Sequence, residues 1–236
     1  ADLRVESRQA IASLTRWLQV YQGVDFYFNE SVLWVDMPEV RTASLKLKAS
    51  RLIACPGANF TGPFKAAFDK YDVQMCTLQM LRVSAKMAGK LPGSIMTDNS
   101  LARYTGWAEL PQALPLKQRI QAEMPEFNAE GIHLIVVQSA DGSLVVGDSH
   151  VYGQSEEVFA RDSVDELILK LLRDTLIVDK LEVLERWQGV YPSSAKQDAF
   201  IHPISESVCV VSVTSGTGAS TAFGLAKDTF DQWEIS

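Results

Sequence analysis

Residues 131–153, GIHLIVVQSADGSLVVGDSHVYG, constrain the fold more than any other stretch, because two β-rich runs flank Asp141-Gly142, a pair at home in tight hairpin turns. A two-residue turn at that point sets His133 across from His150 and Ile135 across from Asp148. Side chains alternate between the two faces of a strand. His133, Asp148, His150 and Tyr152 then share one face, while Ile132, Leu134, Val136, Val145 and Val151 fill the other. The polar face is either a pocket whose imidazoles change charge near neutral pH or a solvated sheet surface, and spacing alone leaves both open. Two histidines and one aspartate lack the further ligand and open geometry of a metal centre, so no metal is expected.

The rest of the chain mixes helix and strand patterns. Ile11, Leu14, Trp17, Leu18 and Tyr21 recur at helical spacing between Ser7, a candidate N-cap, and Gly23, a stop, which predicts an amphipathic helix against a sheet. Three short strands are expected in VDFYFNE, SVLWVDM and SLKLKAS. RLIACPGA differs in kind: Leu52 to Cys55 are apolar without alternation, as in a strand buried on both faces of a parallel sheet, and it stops at Pro56-Gly57. TLQMLRVSA reads as a strand, MAGKLPGSIMTDNS as a loop and LPQALPLKQRIQAEMPEF as a proline-bounded helical stretch. Ser163 and Glu166 form a capping-box spacing ahead of Val164, Leu167, Ile168, Leu171 and Leu172, which predicts a helix. EVLERWQGVYP and SVCVVSVTSG are further strands, and a last helix runs from about Gly218 towards Phe230.

Composition excludes some functions. With 22 Lys and Arg against 29 Asp and Glu, the net charge is −7 and no basic stripe is present, so nucleic acid is not an expected partner. No apolar run approaches the ~18 residues of a membrane span. Three cysteines without a C-x-x-C pair argue against a disulfide framework and fit a cytoplasmic setting.

Taken in order, RQAIASLTRWL, RLIACPGANF, LQMLR, the hairpin, ERWQGVYP and TSGTGASTAFGLA resemble the D-amino-acid oxidase-like FAD-dependent oxidoreductases, a family that includes glycine oxidase and monomeric sarcosine oxidase. The closest resemblance is to a subgroup linked with phosphonate catabolism. It implies an α/β (α+β) fold: an incomplete FAD-binding domain with a parallel sheet over 1–57 and 191–236, interrupted by a mostly antiparallel substrate-binding domain over 58–190. In relatives a strand with G-x-G-x-x-G comes first, and this sequence is expected to begin after it. The chain is then a fragment, or is completed by a second polypeptide supplying the dinucleotide-binding segment, or holds FAD weakly.

The resemblance also implies site residues. Gly57 matches the strand end that passes the pyrophosphate, and Ser215, Gly216, Thr217, Gly218 and Ala219 match the turn beside the flavin, with Val213 and Ser215 where many relatives have glycine. Gln79, Met80, Arg103, Tyr104, Tyr152, Trp187 and Tyr191 are the expected substrate residues, Arg103 offering bidentate geometry to an anion. The implied reaction is oxidation of a small anionic amine, such as an N-methylated aminophosphonate, by hydride transfer to FAD, giving an imine. His133 or His150 is the expected acceptor of the ammonium proton. The alternatives are a non-catalytic remnant or subunit that binds a small molecule, and a metal enzyme built on the two histidines.

Overall fold

The structure, a computed structural model, describes residues 5–235, and of residues 233–235 only the backbone. Along the chain run α1 (Ser7–Gln22), β1 (Trp34–Asp36), β2 (Glu39–Arg41), β3 (Lys46–Lys48), β4 (Leu52–Ala54), α2 (Lys65–Asp69), β5 (Gln74–Lys86) and β6 (Ile95–Met96). Four helices follow: α3 (Asp98–Arg103), α4 (Thr105–Ala108), α5 (Ala113–Glu123) and α6 (Pro125–Ala129). The remainder comprises β7 (Ile135–Gln138), β8 (Leu144–Gly147), β9 (Val151–Gly153), α7 (Asp162–Thr175), β10 (Asp179–Ser193), β11 (Ala199–Ser205), β12 (Val208–Val213) and α8 (Gly218–Ile235).

The chain divides into two units. The first comprises Ala1–Val24, Thr77–Val151 and Glu157–Gly189. Its sheet runs in the order β10-β5-β8-β7-β6, with β5–β8, β8–β7 and β7–β6 antiparallel. One face of that sheet is the core: Leu81, Val83, Leu134, Val136, Leu144 and Val146 pack against Val164, Ile168, Leu171 and Leu172 of α7. Each of these six strand residues is fully buried, worth roughly 1.5–3 kcal/mol apiece. Helix α7 forms as its spacing predicts, but the capping box does not. The helix begins at Asp162 with Arg161 as N-cap and no local side-chain cap. The cap comes from β5 instead, where Gln79 Oε1 accepts the Arg161 backbone N–H at 2.9 Å.

The hairpin also forms, with one residue more in its turn than expected. Ser139 and Ser143 close it around Ala140-Asp141-Gly142, Ser139 N–H donating to Ser143 O at 2.7 Å and Gly142 N–H to Ser139 O at 2.9 Å. Asp141 holds the turn by accepting from the Ser143 amide and hydroxyl, at 2.9 and 2.6 Å, and Gly142 takes a positive φ of 89°. Val136 therefore pairs with Val146 and Val137 with Val145. Leu144 and Val146 are the core residues of the second strand, and the expected Val145 lies on the other face. The ladder slips once more near Leu134, since His133 exchanges both backbone hydrogen bonds with Asp148, at 3.2 and 3.1 Å.

Helix α1 forms over its predicted span and stops at Gly23, whose left-handed φ of 67° suits glycine. Its apolar stripe does not pack as expected: Ile11, Leu14, Trp17 and Tyr21 are all exposed. The helix is tied at its start, where Glu6 accepts from the Ala140 amide at 2.7 Å and Arg8 pairs with Glu185 at 2.9 Å.

The second unit comprises Asp25–Cys76, Tyr152–Glu156 and Val190–Ser236. Its β4 pairs in parallel with β12, which pairs antiparallel with β11. Residues 58–76, expected in the substrate-binding domain, fall here. The reason is packing: Ala67, Phe68 and Val73 share a core with Ala54, Phe200 and Val210. Of the early strands, VDFYFNE forms none, and the small antiparallel sheet is β1-β2-β3 instead. No helix of the described residues is long and apolar enough to cross a membrane.

Candidate functional site

Two constellations carry chemistry, one in each unit. In the second unit β12 ends at Val213, the chain turns through Thr214-Ser215-Gly216-Thr217, and α8 begins at Gly218. Thr217 O accepts the amides of Ser220 and Thr221, both at 3.1 Å, so Thr217 opens the helix. The backbone N–H groups of Ser215, Gly216 and Thr217 donate to no described residue. The first helical amides of Gly218 and Ala219 have no partner within a helix either. Five amides at a positive helix end thus lack a partner among the described residues, which is the chemistry of an anion or polar-ring cradle. Gly216 has φ of 76°, and a Cβ there would stand 3.2 Å from the Tyr191 ring. Ser215 and Thr217 hydroxyls bond each other at 2.8 Å, fixing the turn. Gly57, at φ 58°, lines a mostly apolar cavity of about 420 Å³ with Ile53, Pro192, Val213 and Leu225.

In the first unit His133, Asp148 and His150 converge. The imidazole rings are 4.1 Å apart, centroid to centroid. His133 Nδ1 lies 3.8 Å from Asp148 Oδ1, and His150 Nε2 lies 3.6 Å from Asp148 Oδ2. His150 Nδ1–H donates to the Gly131 carbonyl at 2.9 Å, which leaves Nε2 as the acceptor. Arg103, the last residue of α3, donates to that Nε2 at 2.5 Å. Gly131 permits this approach: its φ is 58°, and a Cβ would sit 3.0 Å from the His150 carbonyl oxygen.

Burial governs the charges here. It pushes His133 down to about 3 and His150 down to about 2, with Arg103 adding to both and His133 adding to His150. It pushes the Asp148 carboxyl up to about 7, against the pull of Arg103. Both imidazoles are therefore neutral near pH 7. His133 Nδ1 and Asp148 Oδ1 are buried without a hydrogen-bond partner.

The expected site residues separate into groups. His133, His150 and Arg103 come together; Tyr104 follows Arg103, whose guanidinium lies 5.8 Å from the Tyr104 ring centre. Met80 lies across from Gly147, where any Cβ would collide with the Met80 thioether. Gln79 is not available to a substrate. It is 7% exposed, and its amide donates to Asp165 at 2.8 Å and to Arg161 O at 3.1 Å while accepting from Arg161 N–H. Trp187 lines a cavity of about 310 Å³ with Arg82, Val137 and Val145. Tyr191 rests on Gly216 in the second unit, and Tyr152, half exposed, belongs to that unit as well. Asp148 and Gly131 were not among the expected site residues. The hairpin alternation places Asp148 on the polar face, so that signal was present; nothing local marks Gly131.

The first unit, an antiparallel sheet bearing a buried polar cluster, and the second, a strand–turn–helix on a partly parallel sheet, make up a mixed α/β fold. The chain belongs to the DAO family, FAD dependent oxidoreductase, whose family model matches residues 2–232. No curated protein matches. Among solved structures the fold is similar to L-proline dehydrogenase from P. horikoshii, at TM-score 0.65 and 13% identity, over 95% of this chain and 54% of that one. It is similar to L-amino acid deaminase from Proteus myxofaciens, in complex with anthranilate, at TM-score 0.64 and 14% identity, over 94% and 55%. It is also similar to glycine oxidase from Bacillus cereus ATCC 14579, at TM-score 0.62 and 12% identity, over 90% and 52%. The chain spans about half the length of these relatives.

Proposed function

We propose that this chain is part of an FAD-dependent enzyme that oxidises a small anionic amine or amino acid to an imine. One observation carries the reading: the amides of residues 215–217, which donate to no described residue at the start of an 18-residue helix, the site the family would use for FAD. These donors fit the polar edge of a flavin, and Ser215, Gly216, Thr217, Gly218 and Ala219 would hold it. When bound, FAD supplies the hydride acceptor. Ser215, where many relatives have glycine, turns its hydroxyl to Thr217.

On the substrate side Arg103 is the anion anchor of this proposal. Its guanidinium is half-buried beside two neutral imidazoles, where a carboxylate or phosphonate meets little competing water. The histidines are weak proton acceptors here, since burial and the neighbouring Arg103 hold both well below the usual imidazole range. The substrate amine therefore enters this reading already neutral. Within the anionic amines, the sequence resemblance favours an N-methylated aminophosphonate, and the dinucleotide-binding segment comes from further sequence or a second chain.

Purified protein carrying that segment, in cis or in trans, tests the proposal by its visible spectrum and by anaerobic mixing with amines. Flavin absorbance that bleaches with glycine, proline or N-methyl-aminoethylphosphonate supports it. A colourless protein that takes up no added FAD overturns it and leaves a small-molecule binding module.

A further inference from the structure

The geometry points to a metal site: we propose that His133, Asp148 and His150 bind one divalent first-row transition-metal ion. This goes beyond the oxidation reading and does not depend on it. Their donor atoms all lie within 4.8 Å of one another. Bonds of about 2.0–2.1 Å in a tetrahedral site set donors roughly 3.4 Å apart. The His133–Asp148 and Asp148–His150 separations of 3.8 and 3.6 Å are within a few tenths of that.

Two independent features point to a ligand. First, His133 Nδ1 has no hydrogen-bond partner, on a side chain only 10% exposed, and it faces Asp148 Oδ1, which is equally unpartnered. Buried polar atoms without partners are rare and costly, so this pair of lone pairs calls for an acceptor of electron density. Second, His150 is oriented from behind. Its Nδ1–H is tied to the Gly131 carbonyl, the outer-shell arrangement that fixes a metal-binding imidazole with Nε2 forward. Two histidines and one carboxylate suit zinc, iron(II) or cobalt(II) rather than calcium or magnesium, and leave coordination positions open.

Arg103 is the competitor. Its N–H donates into the His150 Nε2 lone pair, the same lone pair a metal needs. A cation thus already answers the carboxylate in the metal-free form, and metal entry requires the guanidinium to withdraw. Arg103 ends a six-residue helix and carries a long side chain whose rotamers give it a route away from His150.

The test uses the protein stripped with chelator and titrated with Co²⁺, read by its visible absorption, and with Zn²⁺ against a chromophoric competitor. One equivalent is expected to bind. Asp148→Asn and His133→Gln are each expected to weaken binding about 100-fold, and Arg103→Ala to tighten it about tenfold. The Arg103→Ala arm looks for a gain, so misfolding cannot imitate success. No saturable binding by both wild type and Arg103→Ala, or equal affinity in Asp148→Asn, overturns the site. Flavin content is read on the same samples: yellow protein without metal affinity sinks only the metal site, and metal affinity in a protein that refuses FAD sinks only the oxidation reading.

Discussion

Gln79→Ala is expected to destabilise the first unit by about 3 kcal/mol. The side chain makes three hydrogen bonds: to the Asp165 carboxylate at 2.8 Å, to the Arg161 carbonyl at 3.1 Å and from the Arg161 amide at 2.9 Å. A bond to a charged group nets about 1.5–3 kcal/mol and a neutral one about 0.5–1.5, so one of the first and two of the second span about 2.5–6 kcal/mol, and the figure lies at the lower end of that span. Truncation leaves Asp165, only 5% exposed, paired with Arg186 at 2.8 Å. It also removes the acceptor that caps α7. At a urea slope of about 2 kcal/mol per molar the midpoint falls by roughly 1.5 M. Amide exchange of Arg161 accelerates before that of the central sheet. A loss under about 0.5 kcal/mol with unchanged Arg161 exchange would refute the capping account. A raised KM at an unshifted urea midpoint would return Gln79 to the substrate residues.

Four further outcomes are expected. Leu134→Ala, at a fully buried position of the β7–α7 core, costs about 2–5 kcal/mol by urea titration, and a cost under 1 would mean that the core packs differently. Gly216→Ala combines positive-φ strain with a 3.2 Å approach to Tyr191 and is expected to cost about 1–2 kcal/mol and to lower FAD uptake. Gly224→Ala, in open space inside α8, stabilises by about 0.5–1 kcal/mol, and the opposite order of the two in thermal melts would contradict the turn geometry. His202 is lowered from its ordinary value by burial and by Lys70 Nζ, 3.2 Å from its Nε2. The folded state therefore holds that proton more weakly than the unfolded chain, so its stabilisation is present above the usual imidazole range and fades as pH falls through it. His202→Gln should flatten this part of the stability curve, and an unchanged slope assigns it to other groups.

Local pattern showed much of this fold. Leu52–Ala54 of the non-alternating run pair in parallel with β12, though Leu52 and Ile53 are only half-buried and Cys55 is exposed beyond the strand, and the periodic 164–172 segment is the helix of the core. What it did not show is long-range. The S-x-x-E spacing at Ser163 pointed to a local cap, but the Arg161 amide is capped by a glutamine 82 residues away. The early VDFYFNE run alternates as strands do and forms no ladder, because alternation records only which residues prefer a half-buried face and cannot supply a neighbour. Arg103 is an expected substrate residue from the resemblance alone, and only the fold brings it to His150.

The polar cluster survived an error in register, and parity explains why. A slip of one residue moves every side chain of a strand to the opposite face. The three-residue turn makes one such slip, which is why Leu144 and Val146, and not Val145, join the core. The second slip, near Leu134, moves the pairing again in the same direction, so that His133 meets Asp148 instead of His150. Two single steps restore the original faces, and His133 shares a side with Asp148 and His150 as a two-residue turn would also have arranged. A one-residue deletion in the Ala140–Gly142 turn separates these effects: it restores the expected turn length and forces either the core pair or the polar cluster to change faces. Loss of the His133–His150 ring contact with an intact Leu144–Val146 core, read from ring-current shifts, would show that the second slip is set by the cluster's end of the hairpin; loss of the core with the contact kept would show that the turn sets both.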